Sequence, residues 1–218
     1  MSKLKLAILS LGFTAIISLA WAFDDGDFQV WHTENQEKKI NDKLKVTTEE
    51  EFRFGDDASD FYYQHYDLGF VFAANKNFDF GVNYRQVLAK ENGHFREENR
   101  PHINATLKWD SWGISFDDRN RLEYRHFYWK EDSWRYRNKF TMKFPWKFTK
   151  LEFQPYLADE VFFGLNGEGL DRNRFYSGLG FSFTQDIKAE IYYLLQSSKS
   201  SGIWTDANVL GTKLKLVF

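Results

Sequence analysis

Polar and apolar residues alternate with a period of two along most of the chain, beginning with LKVTTEEEFRF at residues 44–54. Successive side chains of a β-strand point to opposite faces of a sheet, so this pattern predicts strands with one polar and one apolar face. Ten such segments follow one another, at 44–54, 61–72, 78–88, 100–109, 113–125, 134–148, 151–163, 172–183, 187–196 and 207–218. The length of each segment is close to that of a tilted strand that crosses a membrane, about 9 to 11 residues.

The first 22 residues follow a different pattern. Two lysines in MSKLK precede the apolar run LAILSLGFTAIISLA, and Ala20-Trp21-Ala22 fits a small-x-small cleavage site. The run is shorter than the roughly 20 residues of a membrane-spanning helix, and the whole pattern is typical of a secretory signal peptide. We therefore interpret residues 1–22 as a signal peptide that is removed on export and residues 23–218 as the exported protein. The chain has no cysteine, so we expect hydrogen-bonded ladders rather than disulfides to make it rigid.

The C-terminal segment LGTKLKLVF places Leu214, Leu216 and Phe218 on one face and ends the chain on an aromatic residue. A final strand of this kind resembles the signal by which the barrel assembly machinery recognises outer-membrane barrels of Gram-negative bacteria. Short connections alternate with long polar ones, as periplasmic turns and outer loops do in such barrels, whereas a soluble β-sandwich predicts no such alternation. The sequence therefore predicts an all-β, up-and-down antiparallel transmembrane β-barrel in the outer membrane, in contact with its lipid and monomeric.

The predicted number of strands rests on parity. A weaker segment, FQVWHTENQ at residues 28–36, precedes the ten, but bacterial single-chain barrels have an even number of strands. We therefore predict ten strands, with twelve as the alternative. Under this prediction residues 23–43 form an N-terminal segment that lies inside or below the barrel or joins its wall, and residues 44–218 form the main barrel.

Charged side chains concentrate on one face of the predicted strands. In RNRLEYR (119–125) three arginines and Glu123 share a face, opposite Leu122 and Tyr124. Cations outnumber acids on this face, although the whole chain has a formal net charge of -2, so we predict a basic lumen and an acidic mouth. The candidates for anion binding are Arg119, Arg121, Arg125, Arg135, Arg137, Arg172 and Arg174, and their predicted ion-pair partners are Glu49, Glu51, Glu123 and Glu160.

Three functions remain open for such a barrel. The first is a narrow channel or binding site for an anionic small molecule or oligosaccharide, because arginine recognises carboxylates through two parallel hydrogen bonds. The second is a structural barrel whose ions neutralise one another and fill the lumen. The third is an outer-membrane lipid hydrolase or acyltransferase, for which His65 and Asp67 form the one local couple on a strand face. A lone couple without a nucleophile motif is weak support for catalysis, so enzyme activity is not our first expectation.

Other chemistries find no motif in the chain. There is no cysteine-based metal pattern, HExxH sequence, glycine-rich phosphate loop or nucleophile elbow, and we predict neither a metal nor a cofactor. The predicted basic face points inward in an exported protein, so nucleic acid is not an expected partner.

Several blocks of the sequence, in the order EEEFRF, ENRPH, DDRNRLEYR, WRYRNK, ADEVFF and DRNRFYSGLGF, resemble a large bacterial family of predicted outer-membrane β-barrels of unknown function. The resemblance covers nearly all of the exported chain and implies the barrel and its compartment, but no activity. A weaker likeness is to the narrow monomeric porins for acidic oligosaccharides, which also have arginine tracks in a small barrel.

Overall fold

The computed structural model describes residues 24–218, so the predicted signal peptide, residues 1–22, lies outside the described residues. The described chain is built of β-strands joined by turns. Their bounds are β1 Asp27–Lys39, β2 Leu44–Gly55, β3 Asp60–Asn75, β4 Phe78–Glu91, β5 His94–Ser111, β6 Ile114–Phe127, β7 Ser133–Lys143, β8 Gln154–Gly164, β9 Gly169–Ser182, β10 Ile187–Ser200 and β11 Ile203–Val217. Within residues 24–218 no helix is long and apolar enough to cross a membrane.

The strands pair in sequence order and close into a barrel. Successive strands are antiparallel, but the closing pair is parallel, with Asp27 of β1 beside Ala207 of β11 and Glu37 beside Val217. An up-and-down sheet with an odd number of strands has its first and last strands pointing the same way, so it can close only through a parallel pair. The prediction of an all-β barrel is therefore confirmed, whereas the predictions of ten and twelve strands are wrong: residues 24–218 form eleven.

The strand that the parity argument set aside is β1. It contains the weak segment at residues 28–36 and is part of the wall, hydrogen-bonded to β2 on one side and β11 on the other. Its inward residues Trp31 and Thr33 are 1% and 4% exposed. The outward residues next to them, His32 and Glu34, are polar. This part of β1 therefore lacks the alternation of polar and apolar residues that marks the other strands.

The two rims of the barrel differ in their connections. The N-terminal rim holds the start of β1 and the turns that end the even-numbered strands, and the C-terminal rim holds the end of β11 and the remaining turns. The long outer loops that we predicted are largely strand. Between β4 and β5 only Asn92 and Gly93 are left as a turn, with φ of 50° and 78°, and Asn-Gly is the preferred sequence of a type I′ hairpin turn.

The longest connection lies on the C-terminal rim, between Lys143 and Gln154. The predicted segments 134–148 and 151–163 leave only two residues between them, so the predicted length of this connection is wrong, and so is the alternation of short and long loops. Within this connection Phe148 and Phe153 form an isolated bridge that folds the segment into a small hairpin.

The interior of the barrel has an apolar side and an ionic side. Buried residues of β1 and β8 to β11 pack into one cluster, formed by Trp31, Tyr156, Ala158, Tyr176, Tyr192, Leu194 and Val209. The wall from β2 to β7 instead carries buried ions such as Arg85, Arg100 and Glu123. Space for the large tyrosines comes from glycines on the neighbouring strands, since a Cβ on Gly211 would lie 2.0 Å from the ring of Tyr192.

A basic cavity in the lumen as candidate functional site

The lumen contains a cavity of about 600 Å3 that is lined by inward side chains of all eleven strands. This volume lies within the range of about 300 to 1,000 Å3 that ligand pockets occupy. Fifteen lysines and arginines line the cavity against nine aspartates and glutamates, so positive charge is in excess. The lining runs from Lys90 and Lys199, near the N-terminal rim, down to Tyr156 and Lys213.

A belt of hydrogen-bonded ions runs around the wall from β2 to β8. On its first half Arg85 donates from Nη2 to Glu49 Oε1 at 2.7 Å and from Nε to Asp67 Oδ2 at 2.8 Å. Two amides continue the belt, since Asn83 donates to Asp67 at 2.7 Å and Asn104 donates to Asn83 at 3.0 Å. The next link is Arg121, whose Nε donates to Asn104 Oδ1 at 2.6 Å.

The second half of the belt is centred on two glutamates that are fully buried. Glu123 accepts from Arg135 Nε and Arg137 Nη1, both at 2.8 Å. Glu160 accepts from Arg137 Nη2 at 2.7 Å and from Arg119 Nη2 at 3.0 Å. A buried charge is strongly unfavourable unless it is paired and hydrogen-bonded, so the belt is what allows so many ions to lie inside the barrel.

Phe162 gathers four arginines around one aromatic ring. The guanidinium carbons of Arg137, Arg174, Arg135 and Arg172 lie 4.5, 4.8, 5.3 and 5.6 Å from the ring centroid. A ring face attracts a cation through its quadrupole but carries no net charge. Phe162 therefore orients these side chains without neutralising them.

Five cations that line the cavity have no carboxylate oxygen within 4.0 Å among the described residues: Arg96, Lys139, Arg172, Lys199 and Lys213. Lys139 Nζ lies 3.7 Å from the ring centroid of Tyr176. The Nε atom of Arg172 is buried and has no hydrogen-bond partner in the described chain. Within residues 24–218 these five side chains have no carboxylate partner, unlike the arginines of the belt.

All seven arginines predicted from the sequence lie on the cavity wall: Arg119, Arg121, Arg125, Arg135, Arg137, Arg172 and Arg174. Of their predicted partners, Glu123 and Glu160 do pair with them, whereas Glu49 and Glu51 pair with Arg85 and Arg53. The structure thus divides the seven into arginines held by carboxylates and the less compensated Arg172 and Arg174, whose closest carboxylate contact is 3.8 Å from Arg174 Nη1 to Glu160 Oε2. Their role in binding anions stays a prediction.

Sequence reasoning missed several residues of the cavity. Glu98, which accepts from Arg100 Nε at 2.6 Å and Arg125 Nε at 2.8 Å, was left out because the segment was begun two residues later. Phe162 and Trp31 were not recognised as inward residues that orient arginines, although their period-two position places them on the charged face. The guanidinium carbon of Arg53 lies 3.7 Å from the ring centroid of Trp31.

His65 and Asp67 do not form the couple that a lipid enzyme would need. His65 is 1% exposed and contacts Glu49 Oε1 and the Tyr63 hydroxyl, each at 3.1 Å. Asp67 instead accepts from Arg85 and Asn83. Both side chains serve the buried hydrogen-bond network of the lumen.

The connection between β6 and β7 brings an aromatic residue to the mouth of the cavity. Trp129 lines the cavity and donates from Nε1 to Glu91 Oε2 at 3.0 Å. Asp132 holds the base of this connection, and hydrogen bonds from the Tyr124 hydroxyl, His126 and a backbone N–H lower its pKa to about 2. The carboxylate therefore stays ionised at neutral pH and holds the β6–β7 connection through these hydrogen bonds.

The C-terminal residues Leu214 and Leu216 lie on the outward face of β11, and Phe218 is 69% exposed at the C-terminal rim. Among the described residues no group of three or more histidines, aspartates or glutamates is placed to hold a metal ion.

Fold and site together define a closed β-barrel with a charged, predominantly basic interior. A comparison with family models matches residues 28–207 to the family described as "Protein of unknown function (DUF2490)". The chain belongs to this family, which covers β1 through most of the barrel wall. A search of curated proteins finds no match.

Proposed function

We propose that the protein is an outer-membrane β-barrel whose basic lumen binds or passes anionic solutes. The observation that supports the binding of anions is the group of five cavity cations without carboxylate partners in the described chain, among them Lys139, Arg172 and Lys213, together with the excess of cations around the cavity. Arginine and lysine in a water-poor cavity attract carboxylates and phosphates more strongly than they do at an open surface.

The outward face supports a membrane location. On β3 and β4 the outward residues toward the C-terminal rim are apolar and between 39% and 53% exposed, as for Leu68, Phe70, Phe80 and Val82. Hydrocarbon chains are a suitable partner for such a surface. Aromatic side chains cluster at that rim, where an interfacial girdle belongs: Trp109, Trp112, Trp146 and Phe148.

A bilayer experiment tests this function. The purified barrel without its signal peptide is inserted into planar bilayers, and the reversal potential is measured in a KCl gradient while anion binding to the micellar protein is followed by calorimetry. We expect chloride to be favoured over potassium, or specific anion binding where no current is resolved. Cation selectivity, or the absence of both current and anion binding, would overturn the proposal.

The alternative function is a structural barrel whose lumen is filled by ion pairs. The continuous belt from Glu49 to Glu160 favours it, because that belt satisfies most of the buried ions internally. This function predicts neither conductance nor anion binding, and it predicts a large loss of stability when a belt residue is replaced. The same experiment therefore separates the two.

A further inference from the structure

We infer that the cavity takes a linear oligoanion, a molecule with several negative groups that span roughly 10 to 15 Å, rather than a single small anion. This inference rests on the proposed function and specifies the class of solute. It follows from the depths at which the available cations lie along the barrel axis.

The upper level of available charge includes Arg172 and Arg174. Strand β9 runs from the N-terminal rim to the C-terminal rim and begins at Gly169, so both arginines lie near its upper end. Arg174 donates from Nε to the neutral Gln196 Oε1 at 2.8 Å, and Arg172 lies against Phe162. Neither arrangement supplies a full counter-charge to the pair.

The lower level is formed by Lys139 and Lys213. Lys213 stands beside Glu190 on β10, and Glu190 stands beside Gly180 on β9, eight positions beyond Arg172. Eight residues of a strand tilted by about 40° descend roughly 20 Å along the barrel axis. The row of cross-strand neighbours Gly180, Glu190 and Lys213 rises again by a few Å from β9 to β11. The two levels are therefore separated by roughly 10 to 15 Å along the axis.

Lys139 reaches a similar depth by an independent path through the register. Arg174, Glu160 and Lys139 are consecutive cross-strand neighbours on β9, β8 and β7, and this row descends toward β7. Glu160 is already occupied by Arg137 and Arg119. Lys139 thus adds positive charge below Arg174 that the neighbouring carboxylate does not fully offset.

One small anion cannot contact both levels at this separation, and at either level it would leave the other cations uncompensated. A chain of negative groups can neutralise both at once, and the cavity of about 600 Å3 connects them. Each added anionic group then makes a further charge-assisted contact within the same binding event. Uronic acid oligomers and linear polyphosphates share this chemistry.

The experiment uses two series of probes with the purified barrel in detergent micelles. One series runs from galacturonic acid to its tetramer, the other from orthophosphate to tetrapolyphosphate, and maltotetraose is the uncharged control. Calorimetry gives Kd for each. We expect the tetrameric uronate to bind at least about tenfold tighter than the monomer, because it gains contacts at the second level. Comparison of the two series identifies whether carboxylate or phosphate is preferred.

Single substitutions test which lysines cause the tighter binding of the tetramer. Lys213→Met and, on a different strand, Lys139→Met are each expected to reduce the affinity advantage of the tetramer over the monomer about tenfold. Lys188→Met removes an inward lysine that does not line the cavity and should change neither affinity. Equal affinity of the unaltered protein for monomer and tetramer, or an unchanged ratio of the two affinities in both lysine variants, would overturn the oligoanion inference while the proposed function stands. Failure of every anion to bind would overturn the proposed function as well.

Discussion

A neutral aromatic ring lets four arginines lie side by side in this barrel. Around Phe162, Arg135 and Arg137 are neutralised by Glu123 and Glu160, whereas Arg172 and Arg174 have the ring and an amide as their main partners. If Arg172 and Arg174 were also paired with carboxylates, the excess of positive charge around the cavity would be smaller. The ring therefore accounts for how this wall is both ordered and positive.

The inward face of these residues follows from the sequence, because a period of two fixes the face of every second side chain. The hydrogen-bond partners of these residues, in contrast, cannot be predicted from the sequence pattern. Glu160 bonds to Arg137 because Val161 and Asn138 stand opposite each other in the register of β7 and β8, and hydrophobic alternation carries no information about register between strands with polar inner faces. Glu98 and Arg125 were missed as a pair because Glu98 lies outside the predicted segment 100–109.

Glycine at position 211 is required for packing in the apolar side of the lumen. A Cβ at this position would lie 2.0 Å from the Tyr192 ring, so we expect Gly211→Ala to displace the ring and reduce stability by about 1 to 3 kcal/mol. Urea unfolding in micelles measures the change. Gly180→Ala is the control, since the nearest atom to its Cβ is 3.9 Å away. Equal effects of the two substitutions would contradict this packing role.

Strand β1 is the element that sequence reasoning could not place. The outward face of β1 is polar at His32 and Glu34. Backbone ladders to β2 and β11 hold the strand in the wall, together with side-chain hydrogen bonds such as that from Thr33 to Glu51. Closure of the barrel supplies the stability that the strand's own composition does not. The extended hairpin of β4 and β5, in contrast, could have been predicted from Asn92 and Gly93, since Asn-Gly is a strong hairpin signal.

Glu34 and Glu50 stand directly opposite each other on the outer surface of β1 and β2. Like charges in this position repel, and the proposed membrane location would increase the cost of exposing them. We expect Glu50→Thr to raise the free energy of unfolding by about 0.5 to 1 kcal/mol, with a smaller gain at high salt. Denaturant midpoints at two salt concentrations test this.

The neighbouring substitution Glu51→Gln serves as the matched control for the opposite face. Glu51 faces inward and accepts from Arg53 Nε at 2.7 Å and Thr33 Oγ1 at 3.1 Å, so its neutralisation is expected to lower stability. A destabilised Glu50→Thr protein would show that the outward pair is not repulsive in the folded barrel.

For the whole molecule, the parallel closure separates the two ends of the chain. Near the start of the described chain, the N–H of Gly26 donates to Asp206 O at 2.8 Å at the N-terminal rim. At the C-terminal rim the N–H of Phe218 donates to Glu37 O, also at 2.8 Å. A barrel with an even number of strands has both ends at one rim, and the assumption of an even number is what made the predicted topology wrong.

For the proposed outer-membrane barrel, this separation predicts which side of the membrane the N-terminal rim faces. If the C-terminal strand is held at the periplasmic side, as its resemblance to an assembly signal implies, the N-terminal rim faces outward. An epitope inserted before Asp24 should then be labelled by antibody on intact cells, as should one in the Asn92–Gly93 turn. An epitope in the turn at Trp112 and Gly113, on the opposite rim, should be labelled only after the outer membrane is permeabilised. Labelling of the Asn92 turn without the N-terminal epitope would show that β1 does not close the barrel in parallel with β11, because parallel closure places both sites at the same rim.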